Sequence, residues 1–146
     1  MKIELKKVKG HQGSDSYCFT ADLYVDGVKS GTVRDDGNGG CIMFSDWTMA
    51  QRLTAYGAGL PEIPFGDGME GTFKKDADWM VMEALDKYEE NKFLKNRCKT
   101  KTLWKSKEQP PNDWHVSTEP YSKEFADRIR RELGENLVEI ANERFL

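Results

Sequence analysis

Apolar and polar positions alternate over residues 1–45 as paired strands require. Ile3, Leu5 and Val8 are interleaved with lysines over 2–9, the pattern of an exposed edge strand. After the polar break His11–Ser16, residues 17–25 place Phe19, Ala21, Leu23 and Val25 on one face. Asp26-Gly27 then predicts a two-residue type I′ turn, because that turn needs positive φ at both central positions. The returning strand, Val28 to Arg34, contains Gly31, where the sheet bends or a neighbour approaches closely. Asp35-Asp36-Gly37-Asn38-Gly39-Gly40 makes a wider turn, and Cys41–Phe44 closes a β-meander.

The period then changes from two to about 3.6. Ser45 or Asp46 caps a helix from Trp47 to about Tyr56, with Gly57 expected at its C′ position. Residues 57–72 hold five glycines and two prolines and read as a long loop, either functional or packed on a surface. A long helix is expected from near Asp76 to near Cys98, its core stripe made of Ala77, Val81, Ala84, Leu85 and Tyr88. Thr100–Lys105 reads as a strand, and Trp114–Thr118 pairs back onto it as a C-terminal hairpin. Ser122 caps a helix carrying Phe125, Ile129 and Leu133, and Gly134 ends it. Residues 137–145 fit strand or helix, with Gly134 and Asn136 favouring strand. The expectation is a single α+β domain over 1–146: meander 1–45, helical middle 46–98, and C-terminal hairpin and helix 99–146.

Composition adds bounds. At 146 residues with 38% hydrophobic and 32% charged residues, the chain is globular and has no run able to span a bilayer. The start, Met1-Lys2-Ile3-Glu4-Leu5, lacks a signal peptide's apolar core, so a cytoplasmic location is expected. Cys18, Cys41 and Cys98 are odd in number and widely spaced, which predicts reduced, partly buried thiols. A metal site made from them with His11 and His115 lacks close ligand pairs.

Three candidate chemistries fall away on spacing. The turn 35–40 has neither the Lys-Ser/Thr of a P-loop nor a dinucleotide fingerprint, and its aspartates repel phosphate. A calcium loop begun at Asp36 reaches Trp47 at its twelfth position, where a bidentate Glu belongs. Asp113-Trp114-His115 with a cysteine would make a nucleophilic set only if the fold converged them. No cofactor is expected, and the chain reads as non-enzymatic.

Charge is segregated. Between Glu62 and Glu90 nine carboxylates face only Lys74, Lys75 and Lys87. From Asn91 to Lys107 there is no acid, while Lys92, Lys95, Arg97, Lys99, Lys101, Lys105 and Lys107 all occur. An acidic start and basic end suit the helix macrodipole, which gives the asymmetry a structural cause. Interleaved with Phe93 and Trp104, the basic run also has the composition of a nucleic-acid-contacting surface, although the overall pI of about 5.5 opposes that reading. The candidate binding residues are Lys92, Lys95, Arg97, Lys99, Lys101, Trp104, Lys105 and Lys107.

The stretch from Cys18 to Gly27, with Gly31-Thr32-Val33, Asp36-Gly37-Asn38-Gly39-Gly40-Cys41 and the late strand Cys98–Trp104, resembles a family of small tailed-phage and prophage proteins. The resemblance brings no catalytic residues. It implies a nonessential phage gene acting in the host bacterial cytoplasm, often as an inhibitor or decoy of a host factor, including defence components. A host protein is the expected partner, a nucleic acid the alternative, and a small-ligand or nucleotide-acting enzyme the third reading. No membrane is expected as a partner. A homodimer through the edge strand 2–9 is left open, with its lysines arguing against such pairing.

Overall fold

The computed structural model describes residues 1–146 and has the α+β architecture expected from the pattern. Its contacts group into two compact units, Met1–Tyr88 and Glu89–Leu146, each with apolar clusters of its own.

In the first unit, β1 (Ile3–Gln12), β2 (Tyr17–Val25), β3 (Val28–Asp35) and β4 (Met43–Phe44) form an antiparallel meander in sequence order. Asp26 and Gly27 take φ of 51° and 82°, so the turn between β2 and β3 has the positive angles a type I′ turn demands. Two bulges shape the sheet. Ser30 and Gly31 together oppose Leu23, and Gly31 has φ of 118° with the Ser45 hydroxyl 2.6 Å from where a Cβ would sit. Lys7 and Val8 together oppose Ala21. Val8 packs inward against the core, leaving Lys7 as the inserted residue at a φ of 52°.

One face of the meander is covered by α1 (Trp47–Ala58) and the first half of α2 (Ala77–Arg97). Phe19, Ala21, Leu23, Val25 and Val33 meet Met49, Ala50 and Leu53 from α1 and Ala77, Val81, Ala84 and Leu85 from α2. Side chains on the opposite face, Thr20, Thr32 and Arg34 among them, are exposed. Asp46 is the N-cap of α1, accepting from the Thr48 N–H at 2.9 Å. The cap at the other end is Gly59, two residues beyond the glycine expected there. Gly57 instead lies buried inside the last turn, where a Cβ would collide with the Lys75 carbonyl oxygen. The long loop also carries a small hairpin, β5 (Ile63–Pro64) with β6 (Thr72–Phe73). Phe65, Phe73 and Trp79 contact in series, tilted and then edge-to-face, at 5.4 and 5.2 Å between centroids, and fasten that hairpin to α2.

The wide turn at 35–40 is occupied with its own hydrogen bonds. Asp35 is buried and accepts from the Gly37 N–H at 2.8 Å, while the Gly37 carbonyl accepts from the amides of Asp15 and Ser16. Of the cysteines, Cys18 and Cys98 are half-buried, but Cys41 is exposed, because it sits ahead of β4 where the chain is not yet paired.

The second unit is a three-layer arrangement. Its sheet has the order β8-β7-β9, from β7 (Thr102–Ser106), β8 (His115–Ser117) and β9 (Leu137–Ile140). On one face, Leu103 packs with Leu94 and Cys98 at the end of α2 and with Ala141. On the other, Trp104 packs with Ala126 and Ile129 of α3 (Lys123–Leu133). Ser122 caps α3 through the Phe125 N–H at 3.1 Å, and Gly134 ends it at a φ of 53°. The ambiguous tail divides: Leu137–Ile140 is strand, and Ala141–Phe145 is a 3-10 turn. No helix is long and apolar enough to cross a membrane.

Candidate functional site

The basic run is divided by the fold into two environments. Its first part is the end of α2, where Leu94 and Cys98, one turn apart, face the core and turn the intervening residues outward. Lys92, Lys95 and Lys99 are exposed there and, with Glu89, Phe93 and Asn96, line a shallow concavity. Phe93 leaves 49% of its surface exposed, and the Arg97 guanidinium lies 5.1 Å from its ring centroid, one helical turn on. The helix is closed without glycine, by the Lys101 N–H donating to the Arg97 carbonyl at 3.1 Å.

The second part is the strand, and its residues serve the fold. Trp104 is half-buried, stacked on His115 at 5.4 Å and edge-on to Phe125 at 6.2 Å. Lys105 lies 4.3 Å over the Trp114 ring and donates to the Pro111 carbonyl, so its charge is engaged within the hairpin. Lys101 is half-buried at the turn into β7, and Lys107 is exposed at the end of the strand, its N–H donating to the Asn136 carbonyl at 2.8 Å.

None of these seven cations forms an ion pair with a carboxylate. Nearby arginines behave differently. Arg144 makes two 2.8 Å contacts to Glu139, Arg128 meets Glu119 at 2.8 Å, and Arg130 pairs with Glu143. These pairs hold Arg130 and Arg144 further above their usual range, chiefly through the hydrogen bonds they donate to Glu143 and Glu139. Of the carboxylates on the second half of α2, Glu90 is turned to Arg144 at 3.6 Å, while Glu89 lines the concavity without pairing with a lysine.

The acidic half of α2 uses its charge internally. Asp76 caps it through the Trp79 N–H at 2.9 Å, and Asp78 accepts from the Ile42 N–H at 3.1 Å. Burial, with Asp76 and Asp35 nearby, raises the Asp78 pKa despite that bond. Burial acts in the same direction on Glu83, but hydrogen bonds from Lys75 and Trp79 outweigh it and bring its pKa below the ordinary value.

The buried residue that periodicity does not flag is Asn142. Its Oδ1 accepts from the Leu103 N–H at 3.0 Å, and its Nδ2 donates to the carbonyls of Lys101 and Cys98 at 2.8 and 3.3 Å. One amide therefore ties the end of α2, the start of β7 and the C-terminal turn together, and so fixes how the basic helix end is presented.

The residues of a Cys–His pair within this unit stand apart. Cys98 packs on the Leu103 face of the sheet, whereas His115 stacks on Trp104, and adjacent strand residues point to opposite faces. Burial also pushes the Cys98 thiol pKa up, against the pull of Arg144, which keeps it protonated. No cluster of three or more His, Cys, Asp or Glu side chains is placed to hold a metal ion. No protein-family model, curated protein or solved structure matches the chain.

Proposed function

We propose that the protein is a non-enzymatic accessory protein of phage origin that binds, and so inhibits or sequesters, an acidic host protein. Its contact surface is the outer face of the α2 end. The observation that carries the reading is the set of exposed cations Lys92, Lys95 and Lys99, none in an ion pair, which with one carboxylate, Glu89, surround a half-exposed Phe93. Charge without a partner inside the molecule steers association, and an aromatic ring among it supplies an anchor. The resemblance of the meander and late strand to small tailed-phage proteins supports the setting, a bacterial cytoplasm, and a defence component is one host factor of this kind.

The test is affinity capture from bacterial lysate with the wild-type chain beside K92Q/K95Q/K99Q. A stoichiometric protein retained by the former, lost by the latter and released by salt supports the reading. Equal recovery by both overturns it.

A second reading, nucleic-acid binding by the same surface, is favoured by Phe93 with its stacked Arg97, since base stacking on rings and guanidinium planes is sequence-tolerant. It requires a mobility shift at about 50 mM salt that weakens steeply towards about 200 mM. Absence of a shift at the lower salt removes it.

A further inference from the structure

The open face of the meander carries a second cationic site, independent of the α2 end. Register places Lys9, Thr20, Arg34 and Met43 in one row across all four strands, with Thr32 in the next row. Strands lie about 4.8 Å apart, so the row is roughly 14 Å long. A concave surface runs along it, lined by Lys7, Lys9, Thr20, Thr32, Arg34 and Ser45.

Lys7 is the informative residue. Regular pairing alternates faces, and β1 departs from it by inserting Lys7 at a φ of 52°, which a residue with a long side chain adopts at a cost. The insertion keeps Val8 in the core and puts Lys7 beside Lys9 on the rim of the concavity. Bulges of this kind re-aim side chains and recur beside binding sites.

The remaining charges leave the site net positive. Asp22, the one acid on its wall, is paired with Lys29 at 3.5 Å. Arg34 meets Asp36 through Nε at 3.0 Å, and its Nη2 contacts only the Met43 sulfur, at 3.5 Å. Lys7 and Lys9 are exposed and form no ion pair. Ser45 Oγ accepts from the Thr32 N–H at 2.9 Å, which holds that hydroxyl at the edge of the concavity, with Gly31 giving it room. Tyr24, the aromatic ring that β2 presents on this face, is covered by Lys6 at 4.2 Å, so the face offers charge and hydroxyls in place of a stacking platform.

We infer that this concavity binds a phosphate group, with Lys7, Lys9 and Arg34 supplying charge and Thr20, Thr32 and Ser45 supplying hydroxyl donors. Charge-assisted hydrogen bonds of this type suit a phosphate free in solution and a phosphodiester in a nucleic-acid strand alike.

The test is an amide-shift titration of the full chain, at about 50 mM salt, with inorganic phosphate and separately with a short oligothymidylate. Both run on wild type, on K92Q/K95Q/K99Q and on K7N, since Asn tolerates positive φ while removing the charge and its reach. Shifts at Lys7, Lys9, Thr20 and Arg34 are expected, unchanged in the α2 variant and weakened about fivefold in K7N. A response to inorganic phosphate identifies a free phosphate as sufficient; a response to the oligonucleotide alone assigns the site to a strand. K9Q, at a regular strand position, repeats the comparison if K7N lowers the melting temperature, and the same weakening is expected of it. No shift at these amides with either probe, shifts confined to the α2 end, or full affinity in K7N and K9Q overturns the inference.

Discussion

The two halves of the basic run have the same composition and opposite fates. At the end of α2, Lys92 and Lys95, with Lys99 in the turn just beyond, project outward because Leu94 and Cys98 occupy the inward positions. On β7, Trp104 and Lys105 stand in a central strand with a helix over each face, and both find partners within the fold. The difference teaches that charge counted along a sequence becomes a surface only where the local element leaves it without internal contacts. A helix end packed on one side exposes its cations; a central strand beside aromatic rings uses them.

The largest effect expected from that contrast is on stability. Trp104→Ala removes a ring held between His115 and Phe125 and should cost about 3 kcal/mol in a denaturant melt. A loss below about 1 kcal/mol would show Trp104 to be free for a ligand. Asn142→Ala leaves the Leu103 N–H without its acceptor in the core and should cost about 2 kcal/mol by the same measurement. Lys105→Gln should cost roughly 0.5–1 kcal/mol through the lost contact with Trp114 and leave capture of the partner unchanged. K92Q/K95Q/K99Q should change stability by less than about 1 kcal/mol, because Gln is a good helix former at 92 and 95, residue 99 lies exposed beyond the helix, and only the macrodipole interaction is lost; its effect belongs to binding.

The smallest effect extends the contrast to the acidic half of α2. Glu83, bonded to Lys75 at 2.9 Å and Trp79 at 3.0 Å, has a pKa below its unfolded value. Its contribution is therefore present above the unfolded carboxylate range and is lost as pH falls through the folded pKa. Glu83→Gln should cost about 0.5 kcal/mol near neutrality, discounted for exposure, and the difference should vanish in acid. A gap that persists at low pH would mean that shape, not charge, holds Glu83 in place.

Much of the fold was legible in the sequence. The Asp26-Gly27 turn, the caps at Asp46 and Ser122 and the stop at Gly134 each follow from local chemistry that tertiary contacts do not override. Even the bulge at Lys7 leaves a trace, since the apolar spacing of Ile3, Leu5 and Val8 slips by one residue between the last two. Gly57 was misplaced because a glycine needed for close packing against Lys75 looks the same in sequence as one needed for a cap. The site was legible as composition only. Which cations face outward depends on Leu94 and Cys98 meeting Leu103, and on Asn142 bridging back across the unit, and such long-range contacts leave no periodic mark.

The most direct measurement of the central claim is side-by-side capture from bacterial lysate at low salt with wild type, K92Q/K95Q/K99Q and K105Q/K107Q. The account predicts one stoichiometric protein retained by wild type and by the strand variant and lost by the helix variant. Loss in the strand variant with retention in the helix variant would contradict it.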